Sequence, residues 1–454
     1  MSQQTIVVVG GGMMGLATAL ALASQNQRRQ VVVLEQGEAP QLAADAPPSL
    51  RVSAINHASR ELLDQLGVWS QLPANRLGPY QQMQVWEANS FARVNFDAAE
   101  VGAKDLGAIV ENAALEQLLW QAAERAGVRL YEKVSHLTLK KLSFDSKRRS
   151  NDSNYVSHDK LSRSKDTYNV SNDTRVMSID RLSHSNDTLK LSNDIIAERT
   201  LSFKVTDAQG QQTQHQLQAD FVIAADGIDS TIRQQAELPT THWDYEQRGL
   251  VAVLQTELPH QGIARQVFMP TGPLALLPLA DPHQVSMVWS YDMPAAEGLL
   301  KASTDEFMKA LQVASDNCLG KLQLVNTGAK PIASFPLRMR YAQQWLAPGV
   351  ILVGDAAHSI HPLAGQGANL GFADVRALQQ AFSHSGKALE RALGHYQRER
   401  KAHSLTMIAA MEAFKRGFGN AQPAWQLLRG LGFSAAQRVH PLRKWCARIA
   451  LGEA

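Results

Sequence analysis

Two glycine-rich turns, one near each end of the chain, hold the residue types and spacings most able to do chemistry. Gly10-Gly11-Gly12-Met13-Met14-Gly15 follows the apolar run Thr5–Val9 and leads into an alanine- and leucine-rich stretch. Glycine at Gly10, Gly12 and Gly15 allows a tight turn, close backbone approach to a pyrophosphate and close packing of helix on strand. The helix start that follows offers roughly half a positive charge to phosphates. Glu35 stands twenty residues past Gly15, at the end of the apolar run Val31–Leu34. A carboxylate there accepts hydrogen bonds from both ribose hydroxyls and repels a 2′-phosphate. The far turn runs Val353-Gly354-Asp355-Ala356-Ala357-His358-Ser359-Ile360-His361-Pro362-Leu363-Ala364-Gly365-Gln366-Gly367-Ala368-Asn369. Asp355, at a strand end, can hold a polyol hydroxyl. Gly365, Gly367, Ala368 and Asn369 bring backbone N–H groups to a helix start, where partial negative charge is stabilised. Between the two turns lies a third strand end, Asp226-Gly227-x-x-Ser230-x-x-Arg233.

What is missing narrows the chemistry. No second GxGxxG follows a strand and no CxxC is present, which argues against a two-dinucleotide disulfide reductase. The two cysteines, Cys318 and Cys446, offer neither metal spacing nor a disulfide framework, which suits a reducing compartment. A net charge of +3 over 454 residues leaves no polyanion footprint, so nucleic acid is not an expected partner. No basic, cleavable leader precedes Thr5–Val9, and no apolar stretch reaches membrane-spanning length. The expectation is a cytoplasmic protein with no bound metal.

The elements that must position these turns can be read from periodicity. Ile6–Val9, the helix Met14–Ser24 and Val31–Leu34 form a βαβ unit. Ser59–Leu66 and Leu115–Ala126 have helical apolar faces. Met83–Trp86, Val94–Phe96, Val251–Thr256, Ala264–Met269 and Gln284–Tyr291 read as strands of a second sheet. Leu201–Asp207 and Gln214–Gln218 read as a hairpin around Gln209-Gly210, and Phe221–Ala225 and Val350–Val353 return to the first sheet. The expected fold is α/β: a Rossmann-like nucleotide-binding domain interleaved with a smaller antiparallel-sheet substrate domain, plus C-terminal helices. The nucleotide domain is expected over residues 1–80, 100–142, 199–240 and 340–400, and the substrate domain over 81–99 and 241–339, with helices over 401–454.

Residues 143–198 differ from the rest. From Ser143 to Ser192 a serine recurs every seventh residue with an aspartate two places later. A coiled coil needs apolar residues at two positions of each heptad, and here the fixed positions are polar and poor helix formers. The segment reads as a tandem duplication accommodated in a surface hairpin, since loop insertions cost little.

Taken together, the GxGxxG opening, the central strand-DGxxSxxR and the late GDAAHxxxPxxGxGxN resemble the single-component FAD-dependent aromatic monooxygenases typified by 4-hydroxybenzoate hydroxylase. Arg51-Val52-Ser53-Ala54-Ile55, Val110-Glu111-Asn112 and Ser359–Gly367 resemble the ubiquinone-biosynthesis hydroxylases within them. Gly67-Val68-Trp69, Asn95–Glu100 and Gly417-Phe418…Leu431-Gly432 are most similar to the branch acting on a demethoxyubiquinol ring. The resemblance spans the chain except the repeat.

The resemblance implies FAD as cofactor, NADH or NADPH as a transient reductant, and O2 as co-substrate. It implies Gly10, Gly12 and Gly15 at the pyrophosphate, Glu35 at the adenosine ribose, and Arg51 and Asn112 at the pyrophosphate and ribityl region. It further implies Asp226, Gly227 and Arg233 near FAD and the nicotinamide, Gly354 and Asp355 at the ribityl chain, and Gly365, Gly367, Ala368 and Asn369 at the flavin ring. A flavin C4a-hydroperoxide would hydroxylate a polyprenylated phenol or quinol. Pro362 would sit by the reactive face, and His358 and His361 are candidate proton carriers. Leu274–Leu279 with Phe268, Pro273 and Trp289 could line a substrate cavity or form ordinary sheet core. The tail, with Arg429, Arg438, Arg443, Lys444 and Arg448 among Trp425, Leu428, Phe433 and Trp445, has the composition of an amphipathic helix. Such a helix suits the inner face of the plasma membrane or a ubiquinone-biosynthesis complex. The alternatives are a hydroxylase of another aromatic, an alkene epoxidase, or a catalytically silent FAD-binding scaffold.

Overall fold

A strand buried on both faces needs a continuous apolar run. Gln4–Val9 is such a strand, and Ile6, Val7 and Val8 are wholly buried. The computed structural model describes residues 3–26, 28–88, 93–141, 195–325, 330–360 and 366–418. Around Gln4–Val9 a six-stranded sheet runs in the order Leu346–Ala347, Val350–Leu352, Phe221–Ala224, Gln4–Val9, Arg29–Leu34, Arg129–Tyr131. All pairs are parallel except the first, at Leu346↔Ile351. The helices Met13–Gln25, Asn112–Arg125 and Gln366–Ala381 pack together against it. Gly10, Glu35, Asp226 and Gly354 therefore all lie just past the carboxyl ends of parallel strands, the edge where such sheets bind ligands.

The second sheet has nine strands. Its main path is His358–Ser359, Ile332–Ala342, Thr240–Thr256, Gln284–Asp292, Leu274–Pro278, Ile263–Phe268, Gln82–Glu87 and Arg93–Asp97, with Leu322–Leu324 beside Thr240–Thr256. It is antiparallel apart from Ile263–Phe268 against Gln82–Glu87. One face packs Leu250, Ala252, Val267, Leu276, Met287 and Trp289 against Phe307 and Leu311. The latter two belong to the helix Thr304–Ala314, which starts at a capping box of Ser303 and Glu306. On the other face, Val253 and Ala264 cluster with Ala54, Tyr80 and Ile109. These come from a small antiparallel sheet of Val52–Ile55, Gly107–Glu111 and Leu77–Tyr80, which sequence periodicity did not reveal.

The helices Met13–Gln25, His57–Gln65 and Asn112–Arg125 match expectation to within a few residues, and Gly386–Phe418 supplies the expected C-terminal helix. Arg199–Thr206 and Gln212–Ala219 form the expected hairpin, with Gly210 at φ +81°. Arg199–Thr206 also pairs with Val134–Lys141, ending at Arg199↔Lys141, so the chain leaves for the repeat at the end of a strand pair. Residues 142–194 and 419–454 lie outside the described residues, and with them the expectations for the repeat and the basic tail. Among the described residues no helix is long and apolar enough to cross a membrane.

Candidate active site

The glycines of the first turn divide by what each is needed for. Gly10 has φ +105°, and a Cβ there would lie 2.4 Å from the Ala225 carbonyl oxygen. A Cβ on Gly15 would lie 1.8 Å from the Gly10 carbonyl oxygen. Both are required by packing within the chain. Gly12 is different: its φ is −76° and an added Cβ would meet nothing within 4 Å. Neither backbone strain nor packing calls for glycine there, so the bare surface suits a group from outside the chain. Gly367 is equally open. Glu35 accepts from the Gly11 N–H through Oε2 and from the Gly37 N–H through Oε1 at 2.6 Å. A carboxylate has about four acceptor sites, which leaves roughly two for hydroxyl donors.

Arg51 is exposed and has no carboxylate within ion-pair distance among the described residues. It lies close enough to act on both Glu116 and Asp355. Burial raises the Glu116 carboxyl, Arg51 opposes this, and Glu35 adds to it. Asn112 secures this corner: its Oδ1 accepts from Ser53 Oγ at 2.8 Å, and its N–H donates to the Arg51 carbonyl at 3.0 Å.

At the central strand end, Asp226 Oδ2 caps the helix Thr231–Gln235, accepting from the N–H of Thr231 at 2.7 Å and of Ile232 at 3.2 Å. Asp226 Oδ1 is buried without a hydrogen-bond partner among the described residues. Buried carboxylate oxygens are nearly always bonded, so this atom fits an external donor. Gly227 makes the turn at φ +82°. Arg233 is buried, donating to the Ala356 carbonyl and to the Ile228 carbonyl, each at 2.7 Å. It ties the central turn to the far one.

The far turn is held from beneath. Gly354 has φ +61°, and its N–H donates to Asp374 Oδ2 at 3.1 Å. The same oxygen bonds His358 Nε2 at 2.6 Å, while Oδ1 accepts from Arg400 Nε at 2.7 Å. Asp374 is wholly buried. Burial alone would raise its carboxyl, but His358 and Arg400 outweigh that and hold it below the usual carboxylate range. Asp355 is reached by solvent. The protein packed around it still raises its carboxyl, with His358 and Arg51 opposing and Asp374 reinforcing.

Side chains from the two ends of the chain meet here. A Cβ on Gly371 would lie 2.3 Å from Met14 Sδ, and one on Gly354 would lie 3.0 Å from Met14 Cγ. Asn369 donates from Nδ2 to the Ala54 carbonyl at 2.8 Å, and its Oδ1 accepts from the Asn56 N–H at 3.1 Å and Ser59 Oγ at 2.8 Å. Its side chain thus stitches the far turn to the strand that follows Arg51.

His358 is 2% exposed, bonded to Asp374 and stacked on Trp345 at 5.0 Å between ring centroids. The fold turns this candidate inward, onto the support of the far turn. His361, Pro362 and Gly365 lie outside the described residues. Leu274, Leu276 and Trp289 belong to the sheet core, leaving Leu277 to face the other way. Asp374 and Arg400 were missed, although a charged residue amid Leu370, Phe372, Val375 and Leu378 on a helix is itself a signal. Among the described residues there is no cluster able to hold a metal.

Comparison with known proteins agrees with this geometry. The model of an FAD binding domain matches residues 191–410, and that of FAD dependent oxidoreductases matches residues 5–46. The chain is 34% identical to the 3-demethoxyubiquinol 3-hydroxylase of Escherichia coli (strain K12), covering 98% of each chain. It is 31% identical to the mitochondrial ubiquinone biosynthesis monooxygenase COQ6 of Danio rerio, over 97% of this chain and 88% of that one. Among solved structures, the p-nitrophenol 4-monooxygenase PnpA of Pseudomonas putida DLL-E4 shares the fold, with a TM-score of 0.66 at 17% identity, covering 98% of this chain and 97% of that one.

Proposed function

We propose a ring hydroxylation from one premise: the chain belongs to the FAD-dependent monooxygenase family, in the branch that serves ubiquinone biosynthesis. On this reading the substrate is a polyprenylated phenol or benzoquinol. A demethoxyubiquinol-type ring is favoured because the bacterial relative named for it aligns over nearly its whole length. The observation that carries the reading is the convergence at Met14, Gly354 and Gly371, beside glycines Gly12 and Gly367 that nothing within the chain requires.

FAD fits these residues, since Gly12 and Gly367 leave surface open and Asp226 Oδ1 lacks a donor. Gly10, Gly12, Gly15 and Arg51 would hold the pyrophosphate, and Glu35 the adenosine ribose. Asn112, Asp226, Gly227, Gly354 and Asp355 would frame the ribityl chain, and Gly365, Gly367, Ala368 and Asn369 the flavin ring. The chemistry FAD supplies when bound, with NADH or NADPH as reductant, is activation of O2 for transfer to an electron-rich ring. The protein's own part is positional. Asn369 fixes the far turn against Ala54 and Asn56, and Asp374 fixes Gly354; the second sheet and the small sheet would keep water from a bound ring. A membrane-resident substrate also accounts for the basic and apolar tail, as a contact with the inner membrane face or with a biosynthetic complex.

The test is deletion of the gene with mass spectrometry of the accumulated quinones, paired with oxygen and NAD(P)H consumption by the purified FAD-loaded protein. A demethoxy intermediate and stoichiometric hydroxylated product are expected. Unaltered ubiquinone, or a flavinated protein with no substrate-dependent turnover, would refute the proposal.

A further inference from the structure

Arg51 and the helix Asn112–Arg125 meet where the Arg51 carbonyl accepts the Asn112 N–H at 3.0 Å. Glu116 stands one helical turn on from Asn112, on the same side of the helix. That side faces the first turn. The helix packs along Met13–Gln25, and the Glu116 carboxyl reaches the Met13 N–H, Arg51 and Glu35. Met13 opens its helix, so its N–H has no partner within that helix. Such N–H groups are the ones a pyrophosphate takes at a glycine-rich turn. A carboxylate of the chain thus meets a donor that the cofactor's phosphates also need.

Negative charge already prevails at this corner. Glu35, Glu116 and Asp355 gather there, and among the described residues Arg51 is the cation that acts on both Glu116 and Asp355. Burial pushes the half-buried Glu116 carboxyl up, Arg51 opposes this, Glu35 adds to it and the Met13 N–H opposes it. The pyrophosphate of FAD brings more negative charge and takes Arg51 as its counterion. Glu116 then faces phosphate oxygens with its own counterion shared, and like charges so placed disfavour the ionised form. A protonated carboxyl can stay where it is and donate to a phosphate oxygen. Glu35 is the poorer acceptor for a proton. Its oxygens are bonded by the N–H groups of Gly11 and Gly37, which favour the charged form.

We infer that FAD enters this site together with a proton, and that Glu116 receives it. The inference rests on the FAD reading above and adds how cofactor occupancy responds to pH. A carboxyl that titrates higher in the complex than in the FAD-free chain makes the complex tightest in acid. Affinity then falls as pH rises from the FAD-free value of Glu116 towards its value in the complex.

The experiment titrates the full FAD-free chain with FAD, following flavin fluorescence, from about pH 5 to about pH 9, where a raised carboxyl titrates. Wild-type affinity should fall with rising pH, at its steepest by about tenfold per pH unit, the slope of one proton. Glu116→Gln keeps the shape of the side chain and cannot ionise. It should bind FAD with little pH dependence and, at alkaline pH, about tenfold more tightly than wild type. Calorimetry of the wild type in buffers of different ionisation heat counts the proton directly, and needs no variant to fold. The heat should shift with the buffer by the uptake of up to one proton. Heats independent of buffer, or a pH slope that persists in Glu116→Gln, would overturn the inference while leaving FAD as the cofactor. A chain that binds no FAD at any pH would sink the cofactor reading, and this inference with it.

Discussion

Replacing Asp374 by asparagine removes one charge from a site where no water can compensate. Asp374 is wholly buried, and its oxygens hold the Gly354 N–H, His358 Nε2 and Arg400 Nε. Arg400 is itself 5% exposed, and among the described residues its one further bond is to the Leu370 carbonyl at 3.3 Å. In Asp374→Asn the guanidinium keeps its charge and loses its counterion, a loss of about 3–5 kcal/mol for a buried pair broken on one side. Asparagine offers one acceptor oxygen where the carboxylate offered two, so its NH2 group meets either the Gly354 N–H or Arg400, donor against donor. Asp374→Asn combined with Arg400→Leu removes both charges, and most of the loss should be recovered, leaving about 1 kcal/mol or less. The assay is urea denaturation of the two single variants, the double variant and wild type at neutral pH. The pH dependence follows from the depressed Asp374 pKa. Its stabilisation is present above the unfolded-state value and is lost as pH falls through the lower folded value, so the gap between wild type and Asp374→Asn should narrow in acid. A double variant as unstable as the sum of the single losses would refute the reasoning, because the cost would then not come from an orphaned charge.

The first turn allows packing and binding to be separated. Gly12→Val should leave the thermal midpoint of the FAD-free protein within a degree or two and abolish FAD binding in a fluorescence titration, since its Cβ meets nothing within 4 Å. Gly15→Val should lower the midpoint sharply with or without FAD, because its Cβ would lie 1.8 Å from the Gly10 carbonyl oxygen. Equal effects from the two would contradict the division of roles. Asp355→Asn should stabilise the FAD-free protein at neutral pH while weakening FAD binding. Burial raises the Asp355 carboxyl, so its contribution favours the fold below the unfolded-state value and is lost as pH rises through the raised folded one. A thermal melt in acid, where the two proteins should converge, checks the sign. Replacing residues 143–193 by a short Gly-Ser linker should leave turnover unchanged and raise stability by about 1–2 kcal/mol through loop closure. The paired strand ends Lys141 and Arg199 remain in place, and any loss of turnover would show that the repeat has a function.

How far the site could be read from the chain depended on whether a residue acts locally or across the fold. Gly10, Gly227 and Gly354 are legible because each must adopt a backbone angle or approach that other residues resist, and that demand sits within a few residues of a strand end. Glu35 is legible for the same reason, since its distance from Gly15 is the length of one helix and one strand. Asp374 and Arg400 obey no such local rule. They lie 26 residues apart on separate helices, and only packing shows that they share a proton-bonding network with His358. That packing also sets where His358 points. A histidine inside a glycine-rich turn has the residue type of a proton carrier, but the fold turns it inward onto Asp374 and Trp345. Asp226 is legible from its place after a strand, whereas its unpartnered Oδ1 is defined only once every neighbour is known. The cofactor end of the site is thus written in backbone requirements, which sequence records. The supports beneath it are buried charges from separate helices, which meet only in the packed fold.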